Sequence, residues 1–324
     1  MSEGASTFST VLLTAHLSAP PVLAFVLGMV ARFARSDLSL PEAIRSYLSI
    51  FLLLSIGLKG GAAISGQDPG TLMFMVGVTV LAGVVTTLVA YVAARKLLGD
   101  NPLNAGALAA HYGSTSAVTF IAAQQFAEKT GGPPEGILVA LLVALEVPAL
   151  LIGIALGRGS SLGFKAIGHE LLDVLRGKTS ILLLGGLVIG ALAGKQGLNA
   201  VDDMYFQLFQ GMLMLFLLDL GMTAANHLLQ LDRRAVRLVI FALTIPLLHG
   251  VLGVYVAGFM GLSPSGAVVF AAMLAGASYI AAPAAVQNGL PDANLGRCIT
   301  AALGVTFPFN LAIGIPLYAS LAHG

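Results

Sequence analysis

The chain repeats itself, and the repeated unit holds an odd number of apolar spans. Ser55-Ile-Gly-Leu-Lys-Gly-Gly-Ala-Ala63 returns loosely as Asp219-Leu-Gly-Met-Thr-Ala-Ala225, and Tyr91-Val-Ala93 returns as Tyr255-Val-Ala257. The break Gly113-Ser-Thr-Ser116 is matched by Gly276-Ala-Ser278, and Pro148 with Ile152-Gly-Ile154 by Pro308 with Ile313-Gly-Ile315. The first three offsets are 163 or 164 and the last is about 160. Five crossings return the chain on the opposite face of a membrane, so the second copy must run inverted to the first. Inverted repeats are a signature of secondary transporters, with the binding site near the bilayer midplane where the repeats meet.

A membrane is required by composition. Hydrophobic residues make up 57% of the 324 and charged residues only 10%, against about 25% charged in a soluble domain. Mean hydropathy is +0.92. The predicted fold is an all-α membrane protein of ten transmembrane helices. Spans are read at roughly 17–34, 44–64, 71–97, 103–127, 136–157, 179–196, 204–229, 235–260, 265–289 and 294–321, several longer than the ~20 residues that cross the hydrocarbon core. Residues 1–157 form the first repeat, 158–178 a cytoplasmic linker and 179–324 the second repeat. In the linker, the apolar residues of Phe164 to Arg176 recur at near-helical spacing and predict a helix along the interface. A net charge of +1 gives no basis for nucleic-acid binding. The single Cys298 provides neither a disulfide nor a metal cluster. The stretch before Pro20 carries no Lys or Arg, so it lacks the basic region of a signal peptide.

The cationic residues give the expected orientation. Arg32, Arg35, Arg45, Arg95, Lys96, Arg158, Lys165, Arg176, Lys178, Arg233, Arg234, Arg237 and Arg297 all fall on one side of a ten-span layout, and only Lys59, Lys129 and Lys195 on the other. The positive-inside rule then puts both termini on the non-cytoplasmic side, here of a bacterial inner membrane.

Spans 4 and 9 read as discontinuous. His111-Tyr-Gly-Ser-Thr-Ser116 interrupts the first and Ala275-Gly-Ala-Ser-Tyr-Ile-Ala-Ala-Pro283 the second. Gly, Ser and Pro weaken a helix at mid-span, and unwound backbone at that depth persists only inside protein or beside a wet cavity. The second half-helices are expected to begin near Ser114 and Tyr279. Their unpartnered N–H groups and positive dipole ends can hold an anion without a buried Arg. Ser114, Thr115, Ser116 and Ser278 add hydroxyls at these breaks. The same hydroxyls and freed carbonyls can ligate Na⁺. The competing reading is that small residues here serve close helix packing.

Of fifteen acidic residues, only Glu146 and Asp219 fall within spans. A carboxylate at the bilayer centre costs ~2.5–3.5 kcal/mol on insertion scales, so each should face the interior. Glu146 stands two residues before Pro148, which frees the carbonyl of Ala144; with Ser116 it forms the candidate ion site, joined by its repeat counterparts Thr306 and Asn310. A protonated Glu146 bonded to a neighbouring helix is the alternative. Asp219 is divided between a functional carboxylate and an inter-helix contact. Lys59 is placed to snorkel. His111 and His249 read as buried neutral imidazoles bonded to carbonyls, or as a proton relay; their spacing makes no metal site.

Pro41-Glu-Ala-Ile44 with Gly57-Leu-Lys-Gly-Gly-Ala-Ala-Ile64, Gly113-Ser-Thr-Ser116, Glu146-Val-Pro-Ala149, Leu217-Leu-Asp-Leu-Gly-Met222, Pro246-Leu-Leu-His-Gly250 and Gly289-Leu-Pro-Asp-Ala-Asn294 together resemble the sodium-dependent bicarbonate transporter family. The likeness runs in order over nearly the whole chain. It implies two inverted five-span repeats, a core unit of spans 3–5 and 8–10 moving against a gate unit of spans 1, 2, 6 and 7, and a homotrimer. It implies Na⁺ as coupling ion, bicarbonate as substrate, an elevator-like motion and a PII-like regulatory partner, and it places the substrate site at Gly113, Ser114, Thr115 and Ser116 with Ala277, Ser278 and Tyr279. Tyr279 and Glu146 both stand where the cyanobacterial pattern has aspartate, and the linker here is shorter.

The expected function is thus a Na⁺-coupled bicarbonate importer with no organic cofactor. Another small anion or carboxylate, coupled to Na⁺ or H⁺, is the nearest alternative. A passive channel is disfavoured by the two broken helices. An intramembrane hydrolase would need Ser114 or Ser116 as nucleophile and His111 or His249 as base, without a readable third group.

Overall fold

The computed structural model describes residues 17–64, 68–159, 172, 175–231 and 235–323, and these contain helices and no strand. We number them α1 Pro20–Phe33, α2 Glu42–Ile64, α3 Pro69–Ala93 (running on as a wider π turn, Ala94–Leu98), α4 Pro102–Gly113, α5 Ala117–Thr130 and α6 Leu138–Arg158. The second half holds α7 Lys178–Leu198, α8 Phe209–Leu229, α9 Val236–Phe259, α10 Pro264–Ala275, α11 Ala281–Gly289 and α12 Leu295–Ala322. Seven are long and apolar enough to cross a bilayer: α2, α3, α6, α7, α8, α9 and α12. The other three expected spans are not long single helices. The first is the 14-residue α1, and spans 4 and 9 are each split into α4–α5 and α10–α11. The linker helix expected over Phe164 to Arg176 lies almost wholly outside the described residues, as do Lys165, Arg233 and Arg234.

Local chemistry explains the starts. Asp68, Asn101 and Ser263 each accept the N–H three residues on, from Thr71, Asn104 and Gly266, and each is followed by a proline whose missing N–H costs nothing at that position. The Asp68 carboxyl is held below its ordinary value by the backbone and side-chain donors of Thr71.

The helices pack as two groups. In one, α2 lies along α7 and α1 along α8, with α8 also touching α2. In the other, α3, α4 and α6 pack together, α9 and α12 pack on α10, and α5 joins the two sets by lying against α10. The first group is welded by glycines. A methyl on Gly57 would come 2.8 Å from the Cα of Gly186, and one on Gly186 the same distance from Gly57. A methyl on Gly28 would overlap the Leu218 carbonyl, and one on Gly221 the Phe25 carbonyl. Between helices in lipid there is no hydrophobic drive, so this backbone-close contact is what holds them. The largest apolar side chains left uncovered, among them Met73, Leu81, Leu192, Tyr255 and Phe259, lie on α3, α7 and α9. These faces suit acyl chains.

Candidate functional site at the two helix breaks

The first break is short and extended. Helix α4 stops at Gly113, where a methyl would overlap the Thr87 side chain of α3. Ser114 turns to an extended backbone at φ −81°, ψ 171°, and Ser116 caps the next helix by accepting the Thr119 N–H at 3.2 Å. The second break repeats the design. Helix α10 ends at Ala275, Gly276 is extended at φ −68°, ψ 153°, and the Ser278 hydroxyl accepts the Ala282 N–H at 3.1 Å. The second half-helices therefore begin at Ala117 and Ala281, not near Ser114 and Tyr279. Ser116 takes the cap position of α5, which moves that start downstream; α11 is preceded by Ile280 without a side-chain cap, and Ser278 reaches the N–H of its second residue instead.

The two breaks lie side by side. The Ser278 N–H donates to the His111 carbonyl at 2.8 Å. A methyl on Gly276 would come 3.0 Å from the Ser116 nitrogen, tighter than ordinary contact, so glycine eases the close approach of the two extended segments. Side chains of α12 hold the ends. Asn310 donates to the Ala275 carbonyl at 2.8 Å and lies within 3.2 Å of the Tyr318 hydroxyl. Thr306 donates to the Ala242 carbonyl at 2.7 Å and shares a 2.8 Å hydrogen bond with Tyr112 of α4.

Where the breaks meet α6 they line a space of about 10 Å³, room for one water-sized occupant. Its polar walls are Thr115, Ser116, Ser278, Tyr279, Glu146 and Thr179; Leu142 of α6 and Leu183 of α7 close it. Glu146 is 2% exposed, and among the described residues no donor or cation meets its carboxyl. The Thr115 and Tyr279 hydroxyls are buried without hydrogen bonds, and Tyr279 Oη lies beside the Ser116 hydroxyl. The Tyr279 ring is braced edge-on by Phe307 at 5.7 Å. The Ser116 and Ser278 oxygens each receive one N–H and keep a lone pair and a proton for another partner.

Of the residues named from sequence, Thr115, Ser116, Ser278, Tyr279 and Glu146 share this space. Gly113, Ser114 and Ala277 are buried in the breaks but do not line it, and Thr306 and Asn310 also lie elsewhere, holding the half-helix ends. Asp219 is ion-paired, its Oδ1 2.8 Å from Arg45 Nε of α2. His111 Nδ1 donates to the Ala107 carbonyl at 2.8 Å, while His249 is buried beside the backbone of Leu274 and Tyr112. No serine hydroxyl is bonded to either ring among the described residues. Lys59 meets Glu128 of α5 at 2.7 Å, on the wall of a separate cavity of about 570 Å³ that Ser55, Gln124, Val139 and Lys195 also line. Val139 is one turn before Leu142 on α6, so this cavity and the small space follow one another along that helix. Thr179 was not foreseen. Its signal is the pair Thr179-Ser180, two hydroxyls in the first turn of an otherwise apolar span.

The sequence model of the Na⁺-dependent bicarbonate transporter superfamily matches residues 20–323. No curated protein matches the chain.

Proposed function

As the chain belongs to the Na⁺-dependent bicarbonate transporter superfamily, we propose that it imports bicarbonate together with Na⁺ by alternating access. Na⁺ is the coupling ion of that family by its name. The observation that carries the Na⁺ assignment is the Glu146 carboxyl, buried without a partner in a space walled by hydroxyls from both breaks. A buried carboxylate needs a compensating charge, and a hard cation takes carboxylate and hydroxyl oxygens as ligands. The N–H groups of Ala117 and Val118 precede the first intrahelical bond of α5 and remain for the anion.

Bicarbonate does not fit a space of about 10 Å³. Loading therefore requires the walls to part, and the cavity of about 570 Å³ farther along α6 is the natural approach. The packing supports the division of labour. α1, α2, α7 and α8 act as a fixed gate, and α3 to α6 with α9 to α12 carry the breaks as a unit. Counting α1, α4–α5 and α10–α11 as one crossing each gives ten crossings in two inverted repeats, with both termini outside.

Uptake of labelled bicarbonate into proteoliposomes tests the reading, with and without an inward Na⁺ gradient at constant pH. Na⁺-dependent accumulation is expected. Accumulation driven by a pH gradient alone would move the coupling to a proton on Glu146. No accumulation under either gradient, by folded protein, would overturn the substrate.

A further inference from the structure

All but two of the residues around the small space belong to the helix group that carries the breaks. Thr115 to Ala117 and Ser278 to Ala281 come from the breaks themselves, and Leu142 and Glu146 from α6. Thr179 and Leu183 come from α7, which is packed through Gly186 against Gly57 of α2 in the other group. The space is thus a seam between the two groups, and Thr179 is the one polar side chain on its far wall.

Its position in α7 is unusual for a spanning helix. α2 and α7 run parallel, since Gly57 meets Gly186 and Gly61 meets Leu187 farther along both. Gly57 is the sixteenth residue of α2 but Gly186 only the ninth of α7. Seven residues at 1.5 Å each set the start of α7 about 10 Å deeper than the start of α2. Thr179 and Ser180 are consequently buried in the interior, although they open a helix. A hydroxyl there has a neighbour that itself calls for a ligand, the unpartnered carboxyl of Glu146 across the space.

We propose that Thr179 supplies a Na⁺ ligand from the gate group, so that the ion is fully coordinated only while the two groups are in this relation. The inference rests on the proposed Na⁺-coupled function and assigns one of its ion ligands. With Glu146 ionised the space carries a negative charge and its size suits a bare ion, so the Thr179 oxygen serves by its lone pair. When the groups move apart, the Glu146 side keeps the ion and Thr179 stays behind. Na⁺ is then held more weakly in the displaced state, and Thr179 biases the resting position of the transporter through its cargo.

The test compares Thr179→Val with Thr179→Ser. Loss of a charge-assisted contact should raise the apparent KM for Na⁺ about tenfold in Thr179→Val. Thr179→Ser should restore it, and the KM for bicarbonate at saturating Na⁺ should barely move. Thermal unfolding of the purified protein with and without Na⁺ provides a readout independent of transport. Stabilisation by Na⁺ should be present in the natural protein, smaller in Thr179→Val and recovered in Thr179→Ser. If Thr179→Val misfolds, Thr179→Cys serves instead, and Na⁺ should slow its modification by a small thiol reagent. Natural-like Na⁺ dependence in Thr179→Val, or modification of Thr179→Cys unaffected by Na⁺, would overturn the inference and leave the transporter reading intact. Absence of Na⁺ stabilisation in the natural protein would overturn both.

Discussion

At the scale of single residues, the site is made by what is left unpaired. Glu146→Gln keeps the shape and removes the charge, and it should weaken Na⁺ at least tenfold, about 1.4 kcal/mol, as read from the Na⁺ dependence of uptake. Gly276→Ala acts differently, because its methyl would meet the Ser116 nitrogen at 3.0 Å. Backbone shifts of that kind cost about 1–3 kcal/mol, so a lowered melting temperature and lost uptake should appear together. Asp219 has the opposite character. Paired with Arg45 and away from the small space, it makes a contact within the gate group. Asp219→Asn should lower the melting temperature and leave the apparent KM for Na⁺ unchanged. The sequence marked Glu146 and the serines by polarity at mid-span. It gave no sign that Thr306 and Asn310 would hold half-helix ends, since repeat equivalence places a residue in an element and says nothing of where its side chain turns.

At the scale of elements, the polar contacts between the two groups are telling. Lys59 of α2 pairs with Glu128 of α5, Gln210 of α8 bonds Gln125 of α5, and His227 of α8 bonds Thr300 of α12 at 3.1 Å. Lys59, Glu128 and His227 lie near the C-terminal ends of their helices and Thr300 near the start of α12, and any sliding of one group past the other must break these contacts. Lys59 and Glu128 are 60% and 30% exposed, so the pair adds at most about 1 kcal/mol. Lys59→Glu and Glu128→Lys should each shift the balance of conformations, and the double exchange should restore it, in a fluorescence or cross-linking assay of cavity access. Joining Gln125→Cys to Gln210→Cys with a short thiol cross-linker should arrest uptake, with recovery on reduction when the linker is cleavable. The helix breaks were readable because Gly and Ser interrupt apolar periodicity. The pairing of α2 with α7 and α1 with α8 was not, for apolar helices in lipid carry no complementary pattern beyond scattered glycines.

At the scale of the whole molecule, coupling is an equilibrium property. If Na⁺ organises the hydroxyls of both breaks for the anion, Na⁺ must raise bicarbonate affinity by the same factor as bicarbonate raises Na⁺ affinity. Paired titrations of the purified protein should return equal factors; unequal ones would mean that the two passengers are not bound by one conformational equilibrium. The all-helical, membrane-type character was legible in composition and in the length of the apolar runs. The depth at which α7 begins was not, because it depends on how far two parallel helices are staggered, which only their packed glycines fix.

The size of the small space also has a kinetic meaning. A chamber of about 10 Å³ admits no ion wearing its hydration shell. If Na⁺ is the occupant, each cycle includes a dehydration step in which protein oxygens take the place of water, and an ion that those oxygens fit poorly should be turned away before it moves. That makes the chamber a sieve as well as a seat: K⁺, with its larger radius, should neither drive uptake nor compete effectively with Na⁺, whereas Li⁺ should do so in part.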